Sequence, residues 1–280
     1  MPNHIVVKVG ANGQVGIYGG GASHVIVDVV GYFFDDDGLA QFVPVDNASK
    51  IAERVLSATS VTEVDVLGLG GLPSNSPQDP ISVVAVNVAA LSPQATGHLR
   101  VWTTGEPMPN SSTHNFVAGD SRMNLVLVRP SASGKISVFN ASSAPLTLAV
   151  YPVGVFRRGG LGFVSTSPQR TLDTRTLLGG PVPAFGFVDT KVRGFGTVPD
   201  SANIRAVSVN VAAVSPQGVG AVNVGSTATL PDLPTFTHPA NENVANLAIV
   251  LIGTDGYIRL VNNSASPTHL IVDINGYFIG

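Results

Sequence analysis

The chain contains no cysteine. That excludes disulfides, thiolate nucleophiles and Cys-ligated zinc, and it leaves the redox compartment open. Charge is scarce as well. Asp, Glu, Lys and Arg make up 12% of the 280 residues, about half the usual share of roughly 25%. The net charge is −3 and no basic block is present, so nucleic acid is excluded as a partner, because neutralising phosphates takes Lys and Arg. No apolar run approaches the ~20 residues of a membrane helix, which excludes membrane insertion by that route. Residues 1–30 lack a basic start followed by an apolar block, and "GANGQVG" interrupts them, so no export signal is expected within this chain. There is a single tryptophan, and helical patterns are nearly absent.

In their place stand Ser, Thr, Asn, 31 Gly and 20 Pro, with 44% hydrophobic residues. Short β-branched runs such as "SVVAVNVAAL", "NLVLVRP" and "LTLAVYPVGVF" alternate with turn residues at the spacing of sandwiches and barrels. Asn12-Gly13, Ser133-Gly134 and Asp255-Gly256 sit between paired runs, where a tight hairpin needs positive φ. Only residues 48–58, "ASKIAERVLSA", have helical composition. Their counterpart "SPQRTLDTRTL" does not, so 48–58 are read as a loop or a single turn. The predicted class is all-β: tandem antiparallel β-sandwich-like modules, jelly-roll or Ig-like in topology, with strand exchange between repeats.

The chain repeats itself with a period of about 122 residues. "HVIVDVVGYF" (24–33) returns as "HLIVDINGYF" (269–278). Asn3, Asn124 and Asn246 open three similar segments, spaced 121 and 122 residues apart, and Gly13, Gly134 and Gly256 keep step. "AVNVAALSPQATG" (85–97) matches "SVNVAAVSPQGVG" (208–220). The expected organisation is residues 1–39 as the closing part of one copy, 40–157 as a first full module and 158–280 as a second. The opening fragment holds three strands at most, too few to bury a core alone. Either it completes a sheet of the next module or another chain supplies the missing strands.

The segments "RTLDTRTLLGGPVP" (170–183), "AVSVNVAAVSPQGVGAVNV" (206–224) and "HLIVDINGYF" (269–278) resemble a DTR…VNV…VDxxGYF β-repeat of secreted and surface proteins of actinobacteria and some other bacteria. The middle copy departs from it, with "AER" (52–54) where "DTR" stands and "YPVGVF" (151–156) in place of "DINGYF". The resemblance implies an all-β accessory or structural module outside the cell and supplies no active site.

Several residues invite chemistry. Asp28 and Asp273 lie in apolar strands, where a carboxylate needs a partner such as Arg54 or Arg175. "DDDG" (35–38) offers carboxylates to calcium but lacks EF-hand spacing. The six histidines show no metal spacing, no GxSxG is present, and "GIYGGGAS" (16–23) lacks the Lys and helix of a phosphate loop. No catalytic, cofactor or metal residues are therefore expected. Asn47, Asn110, Asn140 and Asn262 begin N-x-S sequons. Trp102, with Asn110 and His114 in the following loop, forms the one arrangement suited to a sugar.

The leading expectation is a non-enzymatic structural protein of an extracellular, cell-surface or virion surface. Its partner is itself or a neighbouring domain, through association of its β-modules. The alternative is a carbohydrate-binding accessory module whose partner is a polysaccharide.

Overall fold

The structure is a computed structural model and describes residues 3–19, 21–22, 24–33, 41–45, 48–176, 180–228 and 234–280. The Asp residues of "DDDG" and the sequon at Asn47 lie outside the described residues. Seventeen strands and no helices are described, so the chain is all-β.

The first nine strands are β1 (Gln41–Pro44), β2 (Ala52–Leu56), β3 (Val61–Asp65), β4 (Val83–Leu91), β5 (Gly97–Thr103), β6 (His114–Phe116), β7 (Arg122–Val128), β8 (Lys135–Asn140) and β9 (Leu146–Arg157). The other eight are β10 (Gly162–Asp173), β11 (Phe187–Lys191), β12 (Ile204–Val214), β13 (Gly220–Ser226), β14 (Phe236–His238), β15 (Val244–Leu251), β16 (Tyr257–Ser264) and β17 (His269–Ile279).

Both sets form the same two sheets. In the second module the orders are β10-β17-β12-β15 and β11-β16-β13-β14. In the first they are β1-β9-β4-β7 and β3-β8-β5-β6, with β2 extending the β1 edge along β9. All pairings are antiparallel, and successive strands mostly cross between sheets. That interleaved order of eight strands is a jelly roll. It resolves the topology that the sequence left open between jelly-roll and Ig-like. Residues 52–56, expected in a loop, form β2 instead. Pairing with β9 buries Leu56 opposite Leu146, and this tertiary contact outweighs helical composition.

The strand faces explain the sequence. On β12, Val207, Val209 and Val211 point between the two sheets with Val222, Val224, Ile258 and Leu260. The opposite face of the same sheet is covered too. Ala206, Leu247 and Phe278 pack against Ala85, Leu125, Phe42 and Phe156 of the first module. The valine-rich strands are apolar on both faces because one face fills a sandwich and the other meets a neighbouring module.

Residues 3–33 enter neither module's sheets, and no strand is described within them. Of the two alternatives, completion of a neighbouring sheet within the chain is not seen among the described residues. Among the described residues, backbone-to-backbone hydrogen bonds between the modules are one reciprocal pair, Phe42 with Leu161, at 2.8 Å each. Residues 3–33 nevertheless keep a local feature of the repeat. Gly10 and Gln14 close a hairpin turn at 2.9 Å, as Ser131 with Lys135 and Gly253 with Tyr257 do, each at 2.9 Å. The turn glycines Gly13, Gly134 and Gly256 have φ of 73°, 79° and 87°, a conformation that disfavours a Cβ.

Candidate functional site

The first sheets of the two modules and residues 3–33 converge on one aromatic cluster. Each module's opening Phe lies on its own closing strand. Phe42 sits 5.2 Å from Phe156, and Phe163 sits 5.0 Å from Phe278, between ring centroids. The glycine of that closing strand makes room. A Cβ on Gly154 would fall 2.5 Å from the Phe42 ring, and one on Gly276 would overlap the Phe163 ring in the same way. Each opening Phe also touches the next copy's closing Phe. Phe42 reaches Phe278 at 4.9 Å, and Phe163 reaches Phe33 at 4.6 Å. Phe33 in turn lies 5.6 Å from Phe156.

The contacts are therefore cyclic. The step from the first module to the second is repeated from the second to residues 3–33, which return to the first. The opening asparagines also reach a neighbouring copy beside its own opening Asn, though through different atoms. Asn246 Nδ2 donates to the Met123 carbonyl at 3.0 Å, and Asn3 Oδ1 accepts from the Leu247 amide at 3.3 Å. Three copies of one repeat thus contact one another in a cycle, the copy at residues 3–33 being only a closing fragment.

At the opposite end of the same sheets, where Arg122 pairs with Ala90 and Val244 with Ala213, is a polar cavity of about 290 Å³ lined by Asn3, His114, Arg122, Asn124, Thr237 and Glu242, among others. It draws on all three copies. Arg122, 5% exposed, donates to Glu242 at 3.1 Å and to Asp120 at 3.4 Å, and Thr237 donates to the Ser121 carbonyl at 2.6 Å. These polar contacts join the modules. Both ring nitrogens of His114 are buried without a partner among the described residues. Burial, and secondarily the nearby His4, lowers its pKa to about 3. Burial lowers the pKa of His4 as well.

The sugar-site residues are not brought together. On β5, Leu99 and Val101 face the core, so Trp102 faces outward. His114 pairs directly with Leu99 and shares its inward face. Trp102 and His114 therefore lie on opposite faces of one sheet. Asn110 is exposed in the intervening loop, and the Trp102 Nε1–H is committed to the Glu106 carbonyl at 3.0 Å.

The acid–base pairs also differ from expectation. Asp273 takes a bidentate contact from Arg170, at 2.9 and 3.2 Å, and not from Arg175. Arg175 instead grips Asp173 of its own DTR turn at 2.9 and 2.7 Å, which holds the Asp173 carboxyl at about 2. Asp28 is exposed. The sequon residues Asn140 and Asn262 are fully buried, and each donates to three backbone carbonyls around its turn. They clamp the loop that leads into β9 or β17, and they are inaccessible to a glycosyltransferase.

His4, Arg122 and Glu242, which the sequence did not single out, belong to the intermodule contact. A signal existed for the aromatic cluster, since "FV" opens and "F" closes each copy in step with the repeat. The Arg122–Glu242 pair had none, because the second module carries Val244 at the place of Arg122.

No protein-family model and no curated protein matches the chain. Among solved structures it is similar to the N-terminal CBM22-1–CBM22-2 tandem domain of Xyn10C from Paenibacillus barcinonensis, with 8% identity over 83% of this chain and 98% of that one, at a TM-score of 0.21. It is also similar to the STIV MCP, with 9% identity over 86% and 97% at a TM-score of 0.22. The major capsid protein P2 from bacteriophage PM2 aligns with 10% identity over 86% and 98% at a TM-score of 0.20. Superpositions this loose carry no argument, and the jelly-roll reading stands on the strand order of the chain itself.

Proposed function

We propose that this chain is a non-enzymatic structural protein of an extracellular or particle surface that works by association of its β-modules with one another. One observation carries the reading. Copies of a single repeat meet through equivalent residues, so the face one copy shows its neighbour is the face built to receive that neighbour. The exposed apolar residues of 3–33 extend the same logic beyond the chain, because backbone and side chains that pair inside the two modules stand open there. Placement outside the cell rests on the resemblance to secreted and surface repeats.

The test is the mass of the chain by analytical ultracentrifugation over a hundredfold range of concentration. A discrete multimer of fixed size, more populated as concentration rises, is expected. A chain that stays monomeric throughout overturns self-association.

A further inference from the structure

Residues 3–33 occupy the third place in this cycle, and no strand is described within them. Their contacts divide cleanly. Those toward the other two copies are made: Asn3 to Leu247, Phe33 to Phe163 and Phe156, and Val6 into the shared cluster. Those toward a sandwich of their own are not. Val15 is 44% exposed where its counterpart Ile258 is 0%, and Val27 is 60% exposed where Val272 is 0%. In the second module these counterparts are covered by the strands that open the copy: β12 lies between β15 and β17, and β16 lies between β11 and β13.

The glycines single out one position. Gly154 and Gly276 each carry the opening Phe of their copy, whereas a Cβ on Gly31 would meet nothing within 4 Å. The cyclic contacts place the absent ring. It belongs on Gly31 and against Phe156, as Phe42 lies on Gly154 against Phe278 and Phe163 lies on Gly276 against Phe33.

We infer that residues 3–33 are a docking surface for one occupant, the opening five strands of a copy of this repeat, equivalent to β10–β14, with an aromatic residue near their start that packs on Gly31. This rests on the proposed assembly function and names its partner. A second intact copy of the chain is not that occupant, because its β4 and β12 are already paired on both edges. The docked strand equivalent to β12 runs between residues 3–8 and 24–33. Val209 and Val211 of such a strand cover Ile5 and Val27, following the pairing of β12 with β15 and β17.

The probe is a polypeptide of residues 161–243, refolded by dilution in the presence of the full chain and followed by native mass spectrometry and amide hydrogen exchange. A one-to-one complex is expected, with exchange of amides in 4–8 and 25–32 slowed at least tenfold and β15–β17 unchanged. Gly31→Ala in the full chain, or Phe163→Ala in the probe, should weaken binding at least tenfold while the melting of the free chain is untouched by Gly31→Ala.

Lack of binding, binding without protection of 3–33, or lost protection in β15–β17 through exchange of the probe for the chain's own strands overturns the inference. So does equal protection produced by concentrating the full chain alone, which makes a second copy the occupant. Should the probe precipitate, the same strands fused ahead of residue 3 carry the test, and unprotected amides in 3–33 of that fusion reject it. A chain that forms multimers yet ignores the probe keeps the assembly reading and loses the inference, and a monomeric chain that binds the probe does the reverse.

Discussion

Asp173 shows how a surface motif becomes structural. Its side chain is only 6% exposed, and the Arg175 guanidinium with the Arg175 amide holds the carboxyl at about 2. A carboxyl whose folded pKa is depressed contributes stability above its unfolded pKa and loses it as pH falls through the folded value. Asp173→Asn should therefore lower the melting temperature at pH 7 and flatten its decline between about pH 4 and pH 2, which scanning calorimetry across pH can check. His114 works in the same direction at higher pH. Buried at the module contact beside His4 and near Arg122, it resists protonation. The unfolded chain takes up that proton near 6.5 and the folded chain only near 3, so stability falls across that window as pH drops, by at most ~1.4 kcal/mol per pH unit. Phe236 holds the equivalent place in the second module and is fully buried. His114→Phe should remove part of this acid sensitivity, read as denaturant midpoints at pH 7 and pH 4.

At the scale of strands, glycine in the closing strand is the sensitive point. Gly276→Ala drives a Cβ into the Phe163 ring, an overpacking expected to cost about 1–3 kcal/mol. Gly31→Ala should cost nothing in the free chain, because nothing approaches that position. Thermal melts of the two variants side by side check the contrast. The closing strands are also where the sequence was most informative. Alternating valines, turn glycines and the near-identity of residues 24–33 with 269–278 made the all-β class and the repeat legible. Sheet order was not legible, because period-two alternation gives a strand's faces but not its neighbours. The inward turn of His114 was hidden for a related reason: its face depends on its register with Leu99, and nothing local to "SSTHNF" encodes that register. Likewise β2 looks helical until its edge partner β9 is known.

Over the whole molecule, the aromatic cluster ties the modules into one energetic unit. Phe42 is 1% exposed and touches both its own Phe156 and Phe278 of the second module. Phe42→Ala is expected to cost about 3–5 kcal/mol. The loss should appear in both modules, so that hydrogen exchange accelerates in β17 as well as in β9. Acceleration confined to β9 would show that the modules are stabilised independently. The cyclic arrangement carries a final consequence. A rotation that brings the third unit back to the first saturates, whereas one that misses closure generates an endless helix. If a whole copy fills the third place, this contact is complete at three. A lattice or fibre built from it would have to grow by other, outward-facing surfaces, with the triad as its indivisible brick.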